Sequence, residues 1–427
     1  MDFSLPKDLV AYLAELDDFI AREIKPLEEA DDNIRFFDHR REFARTDFER
    51  GGLPRHEWEV LLHEAQRRAD AAGHWRFSAP KKYGGKDGSN LWMAVIREHL
   101  TAKGLGLHND LQNEHSIVGN FPFVAMFETF GTEAQKQEFI FGGFDRTRPV
   151  GFGLTEPDHG SDATFMETRA VRQDRDGAPG WLINGEKMWT TGMHVASHAV
   201  TFVRTSGKDG DARGITAFLV PRDAPGFKIE EYLWTFNMPT DHPRVSYTDC
   251  WVPESAMFGE EGRGLALAQS FVHQNRIRQA ASSLGAAVYC IEQSIEYGRA
   301  RKVFGKDLAV NQAIQWPIVE LATQAEMLRQ LIRKTAWEMD QLPHAEIEHQ
   351  LSDKVSMCNY WANRMVCDAA DRAMQIHGGI GYSRHKPFEH IYRHHRRYRI
   401  TEGAEEIQMR KVAAYLFRYA GPRRQRD

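Results

Sequence analysis

The sequence predicts a mainly helical protein with a small β-domain at its centre. Three observations carry that prediction. Apolar residues recur at helical spacing over residues 5–30, 56–72 and 91–103. Between about residues 150 and 255 apolar and polar residues alternate, and turn residues are frequent. From Gly264 the helical period returns and persists. These changes divide the chain into 1–148, 149–258 and 259–427. With 427 residues, 42% of them hydrophobic, the chain is globular in composition and long enough for more than one core.

The elements follow in order. Leu9, Leu13, Leu16, Phe19, Ile20 and Ile24 mark a first amphipathic helix. Residues 32–57 mix Asp, Arg, His and Phe, and read as a solvated face. Residues 199–203 and 215–220 read as strands. Asn184-Gly185, between alternating flanks, predicts a two-residue hairpin turn, and residues 221–226 predict another turn. Helical patterns then run over 264–299, 311–341, 345–377 and, more briefly, 403–418. Pro317 is expected to kink or offset the second of these. Long antiparallel helices of this kind form an up-down bundle.

Composition excludes several functions. The net charge of −5 gives no electrostatic case for binding nucleic acid. No run of 18 apolar residues offers a membrane span. The N-terminal residues lack the basic and apolar regions of a secretory signal. Cys250, Cys290, Cys358 and Cys367 form no CxxC pair, and read as free thiols in a reducing, cytoplasmic compartment. Gly151-Phe152-Gly153 begins like a dinucleotide fingerprint, but no third glycine follows. His394-His395-Arg396-Arg397 has no carboxylate or cysteine placed for a metal, so no metal site is expected.

Gly153-Leu154-Thr155-Glu156-Pro157-Asp158-His159-Gly160-Ser161-Asp162 is the most informative stretch. Pro and Gly break regular structure there and free backbone N–H groups, while Thr155 and Ser161 add uncharged donors. The segment resembles the TEPxAGSD loop that holds FAD in the acyl-CoA dehydrogenase family. Asn184-Gly185-Glu186-Lys187-Met188-Trp189-Thr190-Thr191 is similar to the family's NGxKxWITN block. Arg301-Lys302-Val303-Phe304-Gly305-Lys306 with Asn311-Gln312-Ala313-Ile314 resembles its RxxFG…Q segment. Gln375-Ile376-His377-Gly378-Gly379-Ile380-Gly381-Tyr382 resembles QxxGGxG(Y/F), and Thr401-Glu402-Gly403-Ala404 resembles (Y/T)EGT. Five collinear blocks span residues 153–404. The resemblance implies an N-terminal helical domain, a middle β-barrel-like domain and a C-terminal helical bundle.

It also implies α,β-dehydrogenation of an acyl-CoA thioester to the 2-enoyl-CoA. Glu402 takes the α-proton and a flavin, FAD, accepts the β-hydride, since no side chain accepts hydride. Some branches of the family place the base just before an Arg on the long helix. That position here is Asn275, before Arg276, and Asn cannot take a proton. By resemblance, Phe152, Leu154 and Thr155 contact the isoalloxazine, and Trp189 and Thr191 cover its other face. Ser161 lies where pyrophosphate and CoA converge, and Ala404 stands where the family's Thr meets FAD. Arg301, Phe304, Gln312, Gln375 and Gly379 reach the FAD of a neighbouring subunit, which requires at least a homodimer, or a homotetramer. Arg276 and Gly403 fall on the substrate side, with the Glu402 N–H as an oxyanion donor. An electron-transfer flavoprotein is the expected acceptor.

The chain departs from the family in places. His159 replaces the usual Ala, Ala404 the usual Thr, and His273 an Asp that neighbours CoA. Asn109-Asp110-Leu111-Gln112-Asn113-Glu114-His115 is polar for an acyl pocket, and the loop 234–242 is unusual. Apart from His273, which bears on the CoA contact, they suggest a branched, cyclic or oxygenated acyl group. Competing expectations are an acyl-CoA oxidase, which usually carries an extra C-terminal domain, and a same-fold flavin monooxygenase, which typically lacks the Glu. A DNA-associated alkylation-response relative would need more than Arg418 and Arg423-Arg424-Gln425-Arg426 as its basic tail.

Overall fold

The computed structural model describes residues 4–109 and 116–421, so most of the polar segment 109–115 and the basic tail 423–426 lie outside the described residues. The chain divides into two compact units. One comprises Met1–Ala44, His56–Asn120 and His273–Asp427, and the other Arg45–Arg55 and Phe121–Val272.

The first unit is helical. Its long helices are Val272–Ala300, Gln312–Asp340 and His344–His377, joined by Asn90–Ala102, Phe388–Arg396 and Glu405–Leu416. Small side chains let them approach closely: Ala280, Ala281, Ala287, Ala325, Ala362, Ala369, Ala370 and Ala373 all lie in one core with Leu284, Leu328, Ile332 and Val355. One close approach is at Gly285, where an added Cβ would lie 2.0 Å from Thr101 Oγ1 and 2.3 Å from the Glu98 carbonyl. Two of these helices begin at a side-chain cap. Ser89 accepts from the Trp92 N–H and Asn311 from the Ala313 N–H. Pro317 lies within the Gln312–Asp340 helix, which begins five residues before it.

Three helical expectations are refined. The first helix runs Lys7–Phe19, loosens into a π-turn at Ile20–Ile24, and resumes at Lys25–Glu29. The 264–299 pattern is two helices, Gly264–Gln269 and Val272–Ala300. At the break Ser270 donates its hydroxyl to the Leu267 carbonyl at 2.7 Å, in the manner of residues that compete with the helix ladder. The charged run 32–57 is only partly solvated. Phe36 and Arg45 are buried, and Glu42 pairs with Arg384 and Arg393.

The second unit is built on an eight-stranded mixed sheet. Its order is Met257–Phe258, Ile215–Pro221, His198–Arg204, Arg169–Arg172, Gly180–Lys187, Pro243–Pro253 and Phe227–Tyr232, with Val150–Gly153 parallel to His198–Arg204. Helices Pro122–Phe130 and Glu133–Phe144 also belong to this unit; a capping box of Thr132 and Gln135 starts the second. The expected hairpin at Asn184-Gly185 is not formed. Both residues lie inside Gly180–Lys187, at a bulge against Pro243–Pro253. Glycine is needed there because a Cβ would meet Thr168 at 2.6 Å, and Asn184 spends its amide on Asp249. The tight hairpin is at Asp176-Gly177, both with positive φ, where Arg175 and Ala178 exchange backbone hydrogen bonds.

All four cysteines are free and buried. His394 and His395 are both buried, beside Tyr398 and Ser283. Among the described residues no helix is long and apolar enough to cross a membrane, and no cluster of His, Cys, Asp and Glu could hold a metal.

Candidate active site

In the sheet unit the loop after Val150–Gly153 is fixed from beneath by one buried ion pair. Lys187 Nζ lies 2.7 Å from Glu156 Oε1, with side chains 0% and 4% exposed. Lys187 also donates to the Leu154 carbonyl, and Glu156 accepts the backbone N–H groups of Glu167 and Thr168. Burial opposes both charges. It pulls the Lys187 ammonium down to about 8, while Lys187 and the hydrogen bonds outweigh burial at Glu156 and hold its carboxyl below the usual range. The Met188 N–H donates to the Thr155 carbonyl at 2.8 Å, which ties the loop to the Trp189 segment.

Trp189 sits in the left-handed region, φ 63°, and leaves its indole 44% exposed. A large exposed ring on strained backbone signals a functional surface. Thr191 bridges back to Phe152, whose own ring packs on Phe202 and Phe271. These bonds join the segment of Phe152, Leu154 and Thr155 to that of Trp189 and Thr191. Ser161 is exposed on the same loop. His159 there pairs with Asp162 at 2.9 Å, and that hydrogen bond raises its pKa.

Sequence reading missed His242 and Asp241. His242 Nδ1 lies 2.9 Å from Thr191 Oγ1 and 3.3 Å from Asp241 Oδ1. They end the unusual 234–242 loop, whose Trp234 donates to the Gly51 carbonyl and packs on Phe48.

In the helical unit, Glu402 and Gly403 are consecutive left-handed residues, φ 55° and 88°. They form the turn into the Glu405–Leu416 helix, with Ala404 as its N-cap. The buried Arg276 donates twice to the Glu402 carbonyl, from Nε at 3.0 Å and Nη2 at 2.6 Å. A Cβ on Gly403 would lie 2.9 Å from Nη2, so glycine admits the guanidinium. Burial draws Arg276 below its ordinary pKa, while Glu402 and Glu348 work to raise it. Gln408 donates to the Gly403 carbonyl, and Asn359 to the Arg276 carbonyl. Glu405 beside them is held down to about 2, first by Arg399, with Arg364 adding to it. The Glu402 carboxylate accepts from Asn275 Nδ2 at 3.3 Å. Asn275 accepts from Asn120, and Asn120 from Arg278. No motif announced Asn120 or Arg278.

His273 is turned to its own bundle, 3.0 Å from both Ser352 Oγ and Glu348 Oε2. Arg301, Phe304, Gln312, Gln375 and Gly379 are all exposed on this unit. Phe304, at φ 50° in the turn between Lys302–Val303 and Lys306–Asp307, is fully exposed.

Three family models match the chain: the acyl-CoA dehydrogenase N-terminal domain over residues 31–142, the middle domain over 151–250, and the C-terminal domain over 262–417. "Probable acyl-CoA dehydrogenase FadE2" of Mycobacterium tuberculosis is 30% identical, over 97% of this chain and 96% of its own. The caffeyl-CoA reductase-Etf complex subunit CarC of Acetobacterium woodii is 29% identical, over 81% of this chain and 87% of its own. The solved butyryl-CoA dehydrogenase of Megasphaera elsdenii superposes with a TM-score of 0.77 at 27% identity, covering 98% of this chain and 100% of that one. With helical N- and C-terminal segments around a mixed sheet, all three family domains in order and a relative matched along nearly its whole length, this chain belongs to the acyl-CoA dehydrogenase family.

Proposed function

We propose that the protein is an FAD-dependent acyl-CoA dehydrogenase in which Glu402 removes the α-proton of the thioester. The observation that carries the reading is the setting of Glu402. Its carbonyl is locked by Arg276, its backbone is held left-handed by a turn, and its carboxylate meets an amide donor that cannot itself act as base.

The residues present fit a flavin. A flat ring system needs a flat apolar face and a few uncharged donors, and the half-exposed, backbone-strained indole of Trp189 beside Thr191 supplies both. Phe152, Leu154 and Thr155 would line the ring, Ser161 would meet the pyrophosphate, and Ala404 would approach the cofactor without a hydroxyl. When bound, the flavin supplies the acceptor for the β-hydride, which no side chain can be. The protein's own groups do the rest. Glu402 accepts the proton, while its backbone N–H meets the charge that develops on the thioester oxygen. Gly403 gives the backbone room, and Arg276 holds the turn through which that N–H is presented. Arg276 is thereby a positioning residue; both donors toward Glu402 are already engaged.

Arg301, Phe304, Gln312, Gln375 and Gly379, exposed on one chain, would complete the dinucleotide site of a second copy, so the assembly is a homodimer or a homotetramer. A planar guanidinium suits a pyrophosphate because it bonds two oxygens at once. Electrons would pass to an electron-transfer flavoprotein; the name of the Acetobacterium woodii relative records such a complex for that protein. The acyl group carries a branch, ring or oxygen, as the departures at His159 and the 234–242 loop support.

A panel of acyl-CoAs, varied in length, branching, ring content and oxygenation and added anaerobically to purified protein, tests the reading. Bleaching of the flavin by at least one member supports it. A protein that carries no flavin and takes up no FAD contradicts it.

A further inference from the structure

We propose that Arg278, Asn120 and Asn275 form a one-way hydrogen-bond relay that orients the Glu402 carboxylate and holds it ionised. The inference rests on Glu402 being the base.

The direction of the relay follows from chemistry. A guanidinium only donates, and an ionised carboxylate only accepts. An Asn amide has a donating end and an accepting end, so either orientation is open to it in isolation. Arg278 donates from Nη1 to Asn120 Oδ1, which turns the Asn120 NH2 outward. That group donates to Asn275 Oδ1 at 3.1 Å, which in turn directs the Asn275 NH2 at Glu402 Oε1, 3.3 Å away. Both amides are thereby fixed by a donor-only terminus at one end and an acceptor-only terminus at the other. Asn275 and Arg278, 8% and 7% exposed, are three residues apart on the Val272–Ala300 helix, so one helix face carries both ends of the protein's side of the relay. In such shelter a hydrogen bond to the charged form favours that form.

The relay reaches one carboxylate oxygen, Oε1. It also uses Asn275 as a donor at a position where a carboxylate would compete with Glu402 for a proton. Asn275 and Arg278 are therefore positioning residues. Other charges around this turn include Arg276, which holds the Glu402 carbonyl from the same helix, and Glu348 of His344–His377, which acts on Arg276. Glu405 of the following helix is neutralised by Arg364 and Arg399, and His273 is engaged by Glu348.

The test is the pH dependence of anaerobic flavin bleaching by a substrate from the panel, paired with a carboxyl 13C titration of the Glu-labelled holoenzyme. The Glu402 resonance is assigned by its absence from Glu402→Gln. In Asn275→Leu, close to isosteric but without donors, the acid limb of the rate profile and the Glu402 titration should both move up by about one to two pH units, with KM little changed. Asn275→Asp, which adds a like charge and no donor, should move them further. Asn120→Leu and Arg278→Met should move them in the same direction by less, although neither residue touches Glu402 in the relay. Asn120→Leu leaves both Asn275 and Glu402 in place and carries the test should an Asn275 variant not fold. An unmoved limb and titration in these variants, with bleaching lost in Glu402→Gln, overturn the relay and leave the base assignment standing. Bleaching retained in Glu402→Gln overturns both.

Discussion

Lys187 and Glu156 face each other at 2.7 Å with almost no exposure, and each belongs to a different one of the motif blocks. Glu156 belongs to the 153–162 loop and Lys187 to the strand that leads to Trp189. The pair ties loop to strand directly, and the Glu167 and Thr168 N–H groups satisfy the rest of the carboxylate. Removing one partner of such a pair leaves a buried charge uncompensated, at a cost of about 3–5 kcal/mol. Lys187→Met should therefore lower stability by that order and lower flavin occupancy. The double variant Lys187→Met/Glu156→Gln should recover much of the stability. Urea unfolding and the flavin-to-protein absorbance ratio report the two effects. A single variant as stable as the parent would show that the pair does not organise the loop.

Gly285 sets the approach of Val272–Ala300 to Asn90–Ala102. A methyl group there would collide with the Thr101 hydroxyl at 2.0 Å and with the Glu98 carbonyl, which is backbone and cannot move alone. Gly285→Ala should cost about 1–3 kcal/mol as overpacking, despite the better helix propensity of alanine. The urea midpoint should fall with little change in slope. A rise in the midpoint would mean that propensity, not spacing, governs this position.

Three buried histidines predict acid sensitivity. Burial pulls His108 down to about 4 and His395 to about 3, and drives His394 well below its ordinary value. In the unfolded chain each takes up a proton near pH 6.5; in the folded chain none does until far lower. The stability they permit is thus complete above pH 6.5 and is lost as pH falls toward their folded values. Each histidine removes about 1.4 kcal/mol per pH unit in that window. Urea unfolding at a series of pH values down to about 4.5 should show the decline, and His395→Gln should flatten it. Stability that holds constant across the window would place these rings in water.

Arg301 and Phe304 have exposed side chains, Arg301 just before the strand Lys302–Val303 and Phe304 in the turn that follows it. Arg301→Ala should lower FAD retention more than thermal stability, because charge-assisted bonds to phosphate are lost while no core is disturbed. Light scattering should return the mass of a dimer or a tetramer. A monomer with full flavin occupancy would contradict the shared site.

Much of this was legible in the sequence because it is local or periodic. The long helices follow from apolar spacing, and the motif blocks follow from residue types at short range. Most of what escaped was set by partners distant in the chain. Asn184-Gly185 carries a hairpin signature, yet the close pass of Thr168 uses its glycine for a bulge, and Asp176-Gly177 makes the turn. The 264–299 period continues across Ser270, whose hydroxyl breaks the ladder without breaking the pattern. Asn120 lies outside every motif, and it meets Asn275 only because the fold brings together residues 155 positions apart. His242 joins Thr191 for the same reason.

The central claim is that Glu402 takes the α-proton, and anaerobic flavin reduction by a reactive acyl-CoA measures it most directly. Glu402→Gln preserves shape and the Asn275 contact while removing the proton acceptor. At equal FAD content and saturating substrate, its bleaching should be slower by about 10²–10⁴-fold, the usual range for a lost general base. Substrate binding should persist, since Glu402 contributes a proton acceptor and a backbone N–H rather than the CoA contacts. Bleaching within about threefold of the parent, far inside that range, would contradict the account and place the base elsewhere.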